Sequence, residues 1–197
     1  MAASAPPALI LASTSVYRRE LLQRLRLPFE TARPRVAEDP LPGESPVGTA
    51  ERLALAKAQS VAGDYMGALI IGSDQVAYAG SRVYGKPLGR ERAIAQLQEL
   101  SGQVVVFHTA LCLFNSVSAR AELRAVPTAV RFRVLPLSEI ERYVDADQPF
   151  DCAGSARSEG LGIGLLEYVR GDDPTALIGL PLIALCEMLR NEGIRVP

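Results

Sequence analysis

Ala68-Leu69-Ile70-Ile71-Gly72-Ser73-Asp74-Gln75 is the stretch whose reading decides the fold. Its first four residues are apolar and two of them are β-branched, the pattern of a strand buried on both faces as in a parallel sheet. The reading predicts that the strand stops at Gly72 and delivers Ser73, Asp74 and Gln75 at its carboxyl end. In open α/β sheets ligands sit in the crevice beyond the carboxyl ends of the strands. A carboxylate there can hold a metal ion or orient a water. Asp74 can equally open a turn.

Upstream, residues 9–12 read as a first short strand, followed by Ser13-Thr14-Ser15 and a helix over 17–27 with Leu21, Leu22 and Leu25 on one face. A strand that passes through a hydroxyl-rich turn into a helix aims free backbone N–H groups at the turn, an anion site. Arg18 and Arg19 fall in the first helical turn, where the helix dipole disfavours cations. Either both are solvated, or a bound polyanion answers them. Residues 34–46 read as a loop with four prolines and acidic Glu38, Asp39 and Glu44. Ser45-Pro46 then looks like an N-cap with proline at the first helical position, opening a helix to 61 with Lys57 in its middle.

Downstream, 76–79 and 82–84 read as a hairpin about Gly80-Ser81, ended by Gly85-Lys86-Pro87. That stiffened turn presents Lys86 either to a phosphate or to solvent. A helix over 90–100, two long strands over 104–114 and 121–134, and a capping box at Ser138-Glu139-Ile140-Glu141 follow. The run Asp151-Cys152-Ala153-Gly154-Ser155-Ala156-Arg157-Ser158-Glu159-Gly160-Leu161-Gly162 is small enough for backbone to approach a ligand closely. A strand over 163–168, a turn over 171–174 and a final helix entered through Gly179-Leu180-Pro181 and closed by Gly193 complete the chain. No repeat or linker interrupts it, so residues 1–197 read as one α/β unit.

Composition narrows the chemistry. A chain of 197 residues can bury roughly 70% of its unfolded surface and needs no staples. With 48% apolar and 22% charged residues it has the composition of a globular domain. A net charge of −1 gives no basic face for nucleic acid, though it permits a small basic pocket. The three cysteines, Cys112, Cys152 and Cys186, lack CxxC spacing, which excludes a zinc knuckle and fits a reducing cytoplasm. The opening segment has no basic n-region, and the apolar run 8–12 is too short for a signal peptide or a membrane span. The one histidine, His108, lies in a β-rich run and reads as a structural strand residue. Any metal must therefore be held mostly by oxygen, which favours magnesium or manganese.

Seven pieces in register resemble the Maf family of nucleotide pyrophosphatases. They are Leu9-Ile10-Leu11-Ala12-Ser13-Thr14-Ser15, then Arg18, Lys57-Ala58, Ile71-Gly72-Ser73-Asp74-Gln75-Val76, Gly85-Lys86-Pro87, the 153–162 run and Gly179-Leu180-Pro181-Leu182. The resemblance spans about 9–193. It implies a two-lobed α/β domain around a long twisted mixed β-sheet, as in inosine triphosphatases, with the cleft between the lobes. It implies a cytoplasmic enzyme that cleaves a nucleoside triphosphate to the monophosphate and pyrophosphate with a divalent cation, often as a homodimer, and with neither nucleic acid nor membrane as a partner. It puts the catalytic proton acceptor on Asp74, phosphate-handling roles on Ser13, Arg18, Lys57 and Lys86, and an acidic loop role on Glu38. Asp74, with Glu38, would hold the metal or position the water. An association with cell division also comes with the family name and leaves a regulatory nucleotide-binding role as an alternative.

Three positions track base preference within the family, here Tyr17, Gln75 and Glu159. The branch acting on dTTP and UTP carries arginine at the place of Tyr17. The branch acting on 7-methyl-GTP carries an aromatic there, with glutamine and glutamate at the other two, and this chain follows it. Methylation at N7 makes guanine cationic, and a cation on an aromatic face is worth roughly 0.5–2 kcal/mol. Glu159 can accept from the guanine N1–H and amine, and Gln75 can offer a donor and an acceptor. Tyrosine stands where tryptophan is commoner in that branch and is the weaker platform. Tyr17 packing on its helix and Glu159 in solvent is the plainer alternative.

Overall fold

The computed structural model describes residues 7–196, so the reading of residues 1–6 as carrying no leader lies outside it. A mixed seven-stranded sheet holds β1 (Ala8–Ala12), β2 (Glu30–Ala32), β3 (Ala68–Ala79), β4 (Arg82–Tyr84), β5 (Val104–Asn115), β6 (Arg120–Phe132) and β7 (Leu166–Arg170). Their order is β2-β1-β3-β5-β6-β7, with β4 paired to the far end of β3. β1 runs parallel to both β2 and β3, and the remaining pairs are antiparallel. The helices are α1 (Val16–Gln23), α2 (Pro46–Ala62), α3 (Arg90–Leu100), α4 (Leu137–Asp147) and α5 (Leu182–Asn191).

β3 corrects the opening expectation. It does not stop at Gly72 but runs twelve residues in all, through Asp74 and Gln75 to the hairpin. Side chains alternate faces along a strand. Leu69 and Ile71 therefore pack with α1 and α5, and Ile70 with α2. Beyond Gly72 the same alternation carries Ser73 and Gln75 onto the α5 face and Asp74 onto the α2 face. The strand that stops is β1: its pairing with β3 ends at Leu11 opposite Ile71, and β4 takes up that edge only from Ala77. Between those points the edge of β3 is unpaired, and the crevice opens at the carboxyl end of β1.

Two apolar clusters flank this half of the sheet, one beneath α1 and α5 and one beneath α2. A third, with Leu97, Leu100, Phe107, Phe132 and Ile140, joins α3 and α4 to the far ends of β5 and β6. These are the two lobes. Ser45 caps α2 by accepting from the Gly48 N–H at 3.1 Å, with Pro46 at the first position.

Other boundaries move for local reasons. α1 ends at Gln23 because Pro28 excludes helix at Leu27 and the chain turns through Arg26 at φ 54°. No capping box forms at Ser138: α4 starts at Leu137 behind Pro136, which takes Ser138 inside the helix, and no side chain caps its start. Residues Leu161–Leu165 coil as a 3-10 turn before β7 rather than extending from 163, because Gly162 sits directly on the Arg157 backbone. Among the described residues no helix is long and apolar enough to cross a membrane.

His108 is a strand residue opposite Val76, 7% exposed, and among the described residues its Nε2 has no hydrogen-bond partner. Burial pushes its imidazole below the ordinary 6.5, with Glu51 pulling weakly the other way. Above about pH 6.5 folded and unfolded chains both hold it neutral and its contribution is complete. Below that the unfolded chain takes a proton the folded one resists, so stability falls with pH through that window. His108→Asn is expected to flatten the dependence of the urea midpoint between pH 7.5 and 5.5. An unchanged slope would show that His108 does not set it.

Candidate active site

β1 delivers Ser13 to the crevice at its carboxyl end. The Ser13 hydroxyl accepts from the Ser15 N–H at 3.1 Å, and Ser15 in turn caps α1 by accepting from the Arg18 N–H at 3.3 Å. The hydroxyl proton of Ser13 is left to donate. This places Tyr17 and Arg18, both in the first turn of α1, on the wall of a cavity of about 730 Å³. All nine residues singled out from sequence line that one cavity: Ser13, Tyr17, Arg18, Glu38, Lys57, Asp74, Gln75, Lys86 and Glu159.

At its floor Lys57 and Asp74 meet because α2 lies directly on β3. The Lys57 Nζ donates to Asp74 Oδ1 at 2.7 Å and stands 2.7 Å from Glu38 Oε1. Lys57 is 4% exposed and Asp74 8%, so this is a shielded ion pair opening on the cavity, whereas Glu38 comes in from the exposed loop. Burial acts to raise the Glu38 carboxyl. Its pKa nevertheless lies below the usual range, because Lys57 hydrogen-bonds to it and the charges of Lys57, Lys86 and Arg18 attract it. Burial presses down on the Arg18 guanidinium, and Asp74 and Glu38 oppose that shift. The cations and both carboxylates thus feel one another across a single space.

The opposite wall is the segment between β7 and α5. Arg18 Nε donates to the Gly179 carbonyl at 2.8 Å, and the Ser73 hydroxyl lies 2.9 Å from the same oxygen. Gly179 adopts φ +115°, a conformation side chains rarely take. The Gln75 amide nitrogen lies 3.0 Å from the Ala176 and Leu177 carbonyls and 2.8 Å from Thr109 Oγ1. Its two N–H groups are consumed internally, so Gln75 offers a ligand only its carbonyl oxygen. The sequence expectation of a donor and an acceptor is corrected to an acceptor alone.

This wall is fastened by Asp173, which sequence reading saw only as part of a turn. It is 2% exposed, accepts from Thr175 N–H at 2.9 Å and from Ile183 N–H at 2.7 Å, and so clamps the entry to α5. Asp151, which the sequence does not single out, accepts from the Tyr17 hydroxyl at 3.2 Å. Nothing in the order of residues links it to Tyr17, which stands 134 positions away.

The model of the Maf family, described as Maf-like protein, matches residues 8–192. The chain belongs to the Maf family. It is 57% identical over 189 residues to a 7-methyl-GTP pyrophosphatase of Aromatoleum aromaticum, covering 96% of this chain and 97% of that one. A 7-methyl-GTP pyrophosphatase of Nitrosospira multiformis is 55% identical over 188 residues, with 95% of each chain covered. One of Thiobacillus denitrificans is 56% identical over 190 residues, covering 96% and 94%. Among solved structures, a nucleoside-triphosphatase / dITP/XTP pyrophosphatase from Mycobacterium abscessus superposes at TM-score 0.41 with 18% identity over 66% of this chain and 76% of that one, too loose a likeness to carry an argument.

Glu38 and Asp74 are the carboxylates of this Maf-family cavity that could hold a hard divalent cation. Glu38 and Asp74 both present carboxylate oxygens to one point, which the Lys57 ammonium fills. Among the described residues no cluster of three or more His, Cys, Asp or Glu could hold a metal. With those two carboxylates, phosphate oxygens and water would have to complete the shell, as magnesium sites commonly require.

Proposed function

We propose that this Maf-family protein is a cytoplasmic pyrophosphatase that hydrolyses 7-methyl-GTP to 7-methyl-GMP and pyrophosphate, keeping the modified nucleotide out of nucleic acid. One observation carries the pyrophosphatase reading: Arg18, Lys57 and Lys86 line the same cavity as Asp74 and Glu38, with an ion pair already formed at its floor. A triphosphate needs positive side chains and N–H donors, and little covalent machinery.

In this reading Arg18 grips phosphate oxygens with its fork, while Lys57 and Lys86 act as point charges. Ser13 donates its hydroxyl proton to a phosphate oxygen. Lys57 holds Asp74 Oδ1, and among the described residues no protein group hydrogen-bonds to Asp74 Oδ2, which leaves that oxygen to take the proton of an attacking water. The water oxygen bonds to the α phosphorus, the bond from that phosphorus to the bridging oxygen breaks, and pyrophosphate leaves with the electron pair. Magnesium or manganese, which Glu38 with Asp74 would hold, would supply charge neutralisation on the phosphates. For the base, the names of the relatives, the Tyr17 ring on the cavity wall and the carboxylate of Glu159 at the same cavity support a cationic purine.

The test is a panel of 7-methyl-GTP, GTP, UTP and dTTP with pyrophosphate release as readout, run with magnesium or manganese and again with chelator. The expected result is a preference for 7-methyl-GTP of at least about tenfold in kcat/KM, in line with one cation–aromatic contact and an opposed carboxylate, and silence with chelator. A preference for UTP or dTTP would overturn the base assignment. Tight nucleotide binding without pyrophosphate from any of the four would replace the enzyme by a nucleotide-binding regulator.

A further inference from the structure

Four charged side chains stand near Tyr17: Asp151 and Glu159 on the cavity wall, and Asp147 and Arg157 outside its lining, with Arg157 reaching the Tyr17 hydroxyl. Two of them cancel. The Arg157 guanidinium pairs with the buried Asp147, and Gly160 and Gly162 are packed so closely on Arg157 that the pair is built into the loop. Asp151 and Glu159 are exposed, line the cavity and make no ion pair among the described residues. Both carboxylates act on the Cys152 thiol between them, which burial, Asp151 and Glu159 together push up to about 12. The Asp151 oxygen lies 3.5 Å from that sulfur and 3.2 Å from the Tyr17 hydroxyl.

Two unneutralised carboxylates are out of place in a cavity that receives a polyanion. They repel phosphate, and their presence is favourable only when the far end of the ligand is positive. Asp151 is doubly placed for this. Its charge adds directly to the field at the ring, and by accepting from the Tyr17 O–H at 3.2 Å it fixes the phenol, which burial and the Asp151 charge keep protonated. A charge-assisted hydrogen bond of this kind is roughly twice as strong as a neutral one. That compensates for tyrosine being the weaker cation platform.

We propose that Asp151 is a specificity-determining residue: with Glu159 and the Tyr17 ring it makes the base subsite select a purine that carries a fixed positive charge, rather than one that merely carries a methyl group. The proposal deepens the reading above and rests on it for the orientation of the nucleotide. Glu159 addresses the base edge, whereas Asp151 acts on the charge.

The decisive probe is a pair of ligands equal in shape and different in charge, 7-methyl-GTP and 7-deaza-7-methyl-GTP, in which carbon replaces N7 and the ring is neutral. The wild-type protein is expected to favour the charged member by about tenfold in kcat/KM, and Asp151→Asn to shrink that ratio about fivefold, the size of one cation–aromatic contact. Tyr17→Phe, which keeps the ring and removes the hydroxyl, is expected to shrink it in the same direction but less. Raising salt from 50 to 500 mM should narrow the wild-type ratio, because Asp151 is exposed. If Asp151→Asn slows both substrates alike, Asp151 is structural and the proposal falls; a ratio unchanged from wild type sinks it equally. Should the wild-type protein release no pyrophosphate from either, the catalytic reading fails. The affinities for 7-methyl-GMP and 7-deaza-7-methyl-GMP, by calorimetry on wild type and Asp151→Asn, then decide the inference by the same ratio.

Discussion

Asp74→Asn is expected to lower pyrophosphate release by about 10²–10⁴-fold, the range that loss of a positioned proton acceptor produces. The substitution is nearly isosteric, and its oxygen can still accept from Lys57 Nζ, which now stands 2.7 Å from Asp74 and from Glu38 alike. The fold and the position of Lys57 should therefore survive, so a drop in rate reports chemistry rather than collapse. Nucleotide affinity tells the two roles of Asp74 apart. If the carboxylate takes the proton from water, Asp74→Asn binds nucleotide in magnesium within about threefold of wild type while turning it over hardly at all, because the lost interaction belongs to the transition state. If the carboxylate mainly holds the cation, the magnesium-dependent part of the affinity disappears, and wild type in chelator and the variant in magnesium bind alike. Turnover within threefold of wild type would remove Asp74 from the centre of the reaction altogether. Hydrolysis in ¹⁸O-water adds the site of attack: label in the monophosphate marks the α phosphorus, label in pyrophosphate the β.

The sequence made the site legible in pieces that carry their own local physics. Ser45-Pro46 announces the start of α2, the apolar quartet at 68–71 announces β3, and the hydroxyl run after β1 announces the loop that holds Ser13 and leads into α1 with Arg18. What it misplaced depends on partners far along the chain. Gly72 reads as a stop because glycine weakens a strand, yet here it lies inside one, where only the backbone of α2 explains it. β2 is three residues long and is a strand only because β1 lies beside it. The donors of Gln75 are spent on carbonyls about 100 positions away, and Asp151 and Asp173 have roles only once α1 and α5 are folded next to them. The order of residues showed which side chains could handle phosphate. It could not show which of their hydrogen-bonding atoms are already taken.

Gly72→Ala is expected to destabilise the protein by about 2–4 kcal/mol, a value in the range of severe overpacking, and to lower Tm by about 5–15 °C for a chain of this size. A Cβ at position 72 would stand 2.1 Å from the Ala54 carbonyl oxygen, 2.9 Å from the Ala58 nitrogen and 3.1 Å from the Ala58 Cβ. Two of these three atoms are helix backbone, so no side chain can swing aside. α2 must move off β3, and its row of Ala50, Ala54 and Ala58, all fully buried, shows how closely it is seated. The same movement draws Lys57 away from Asp74, so turnover should fall together with stability. Ala54→Gly in the Gly72→Ala background is expected to give no rescue. It removes a methyl group that is not the obstacle, leaves the carbonyl in place and adds about 1 kcal/mol of helix cost. Gly63→Ala is the control: at the end of α2 with nothing within 4 Å of the added carbon, it should shift Tm by less than about 2 °C. A Gly72→Ala protein as stable and as active as wild type would mean that α2 does not rest on β3 at this point, and the shielded Lys57–Asp74 pair would lose its structural basis.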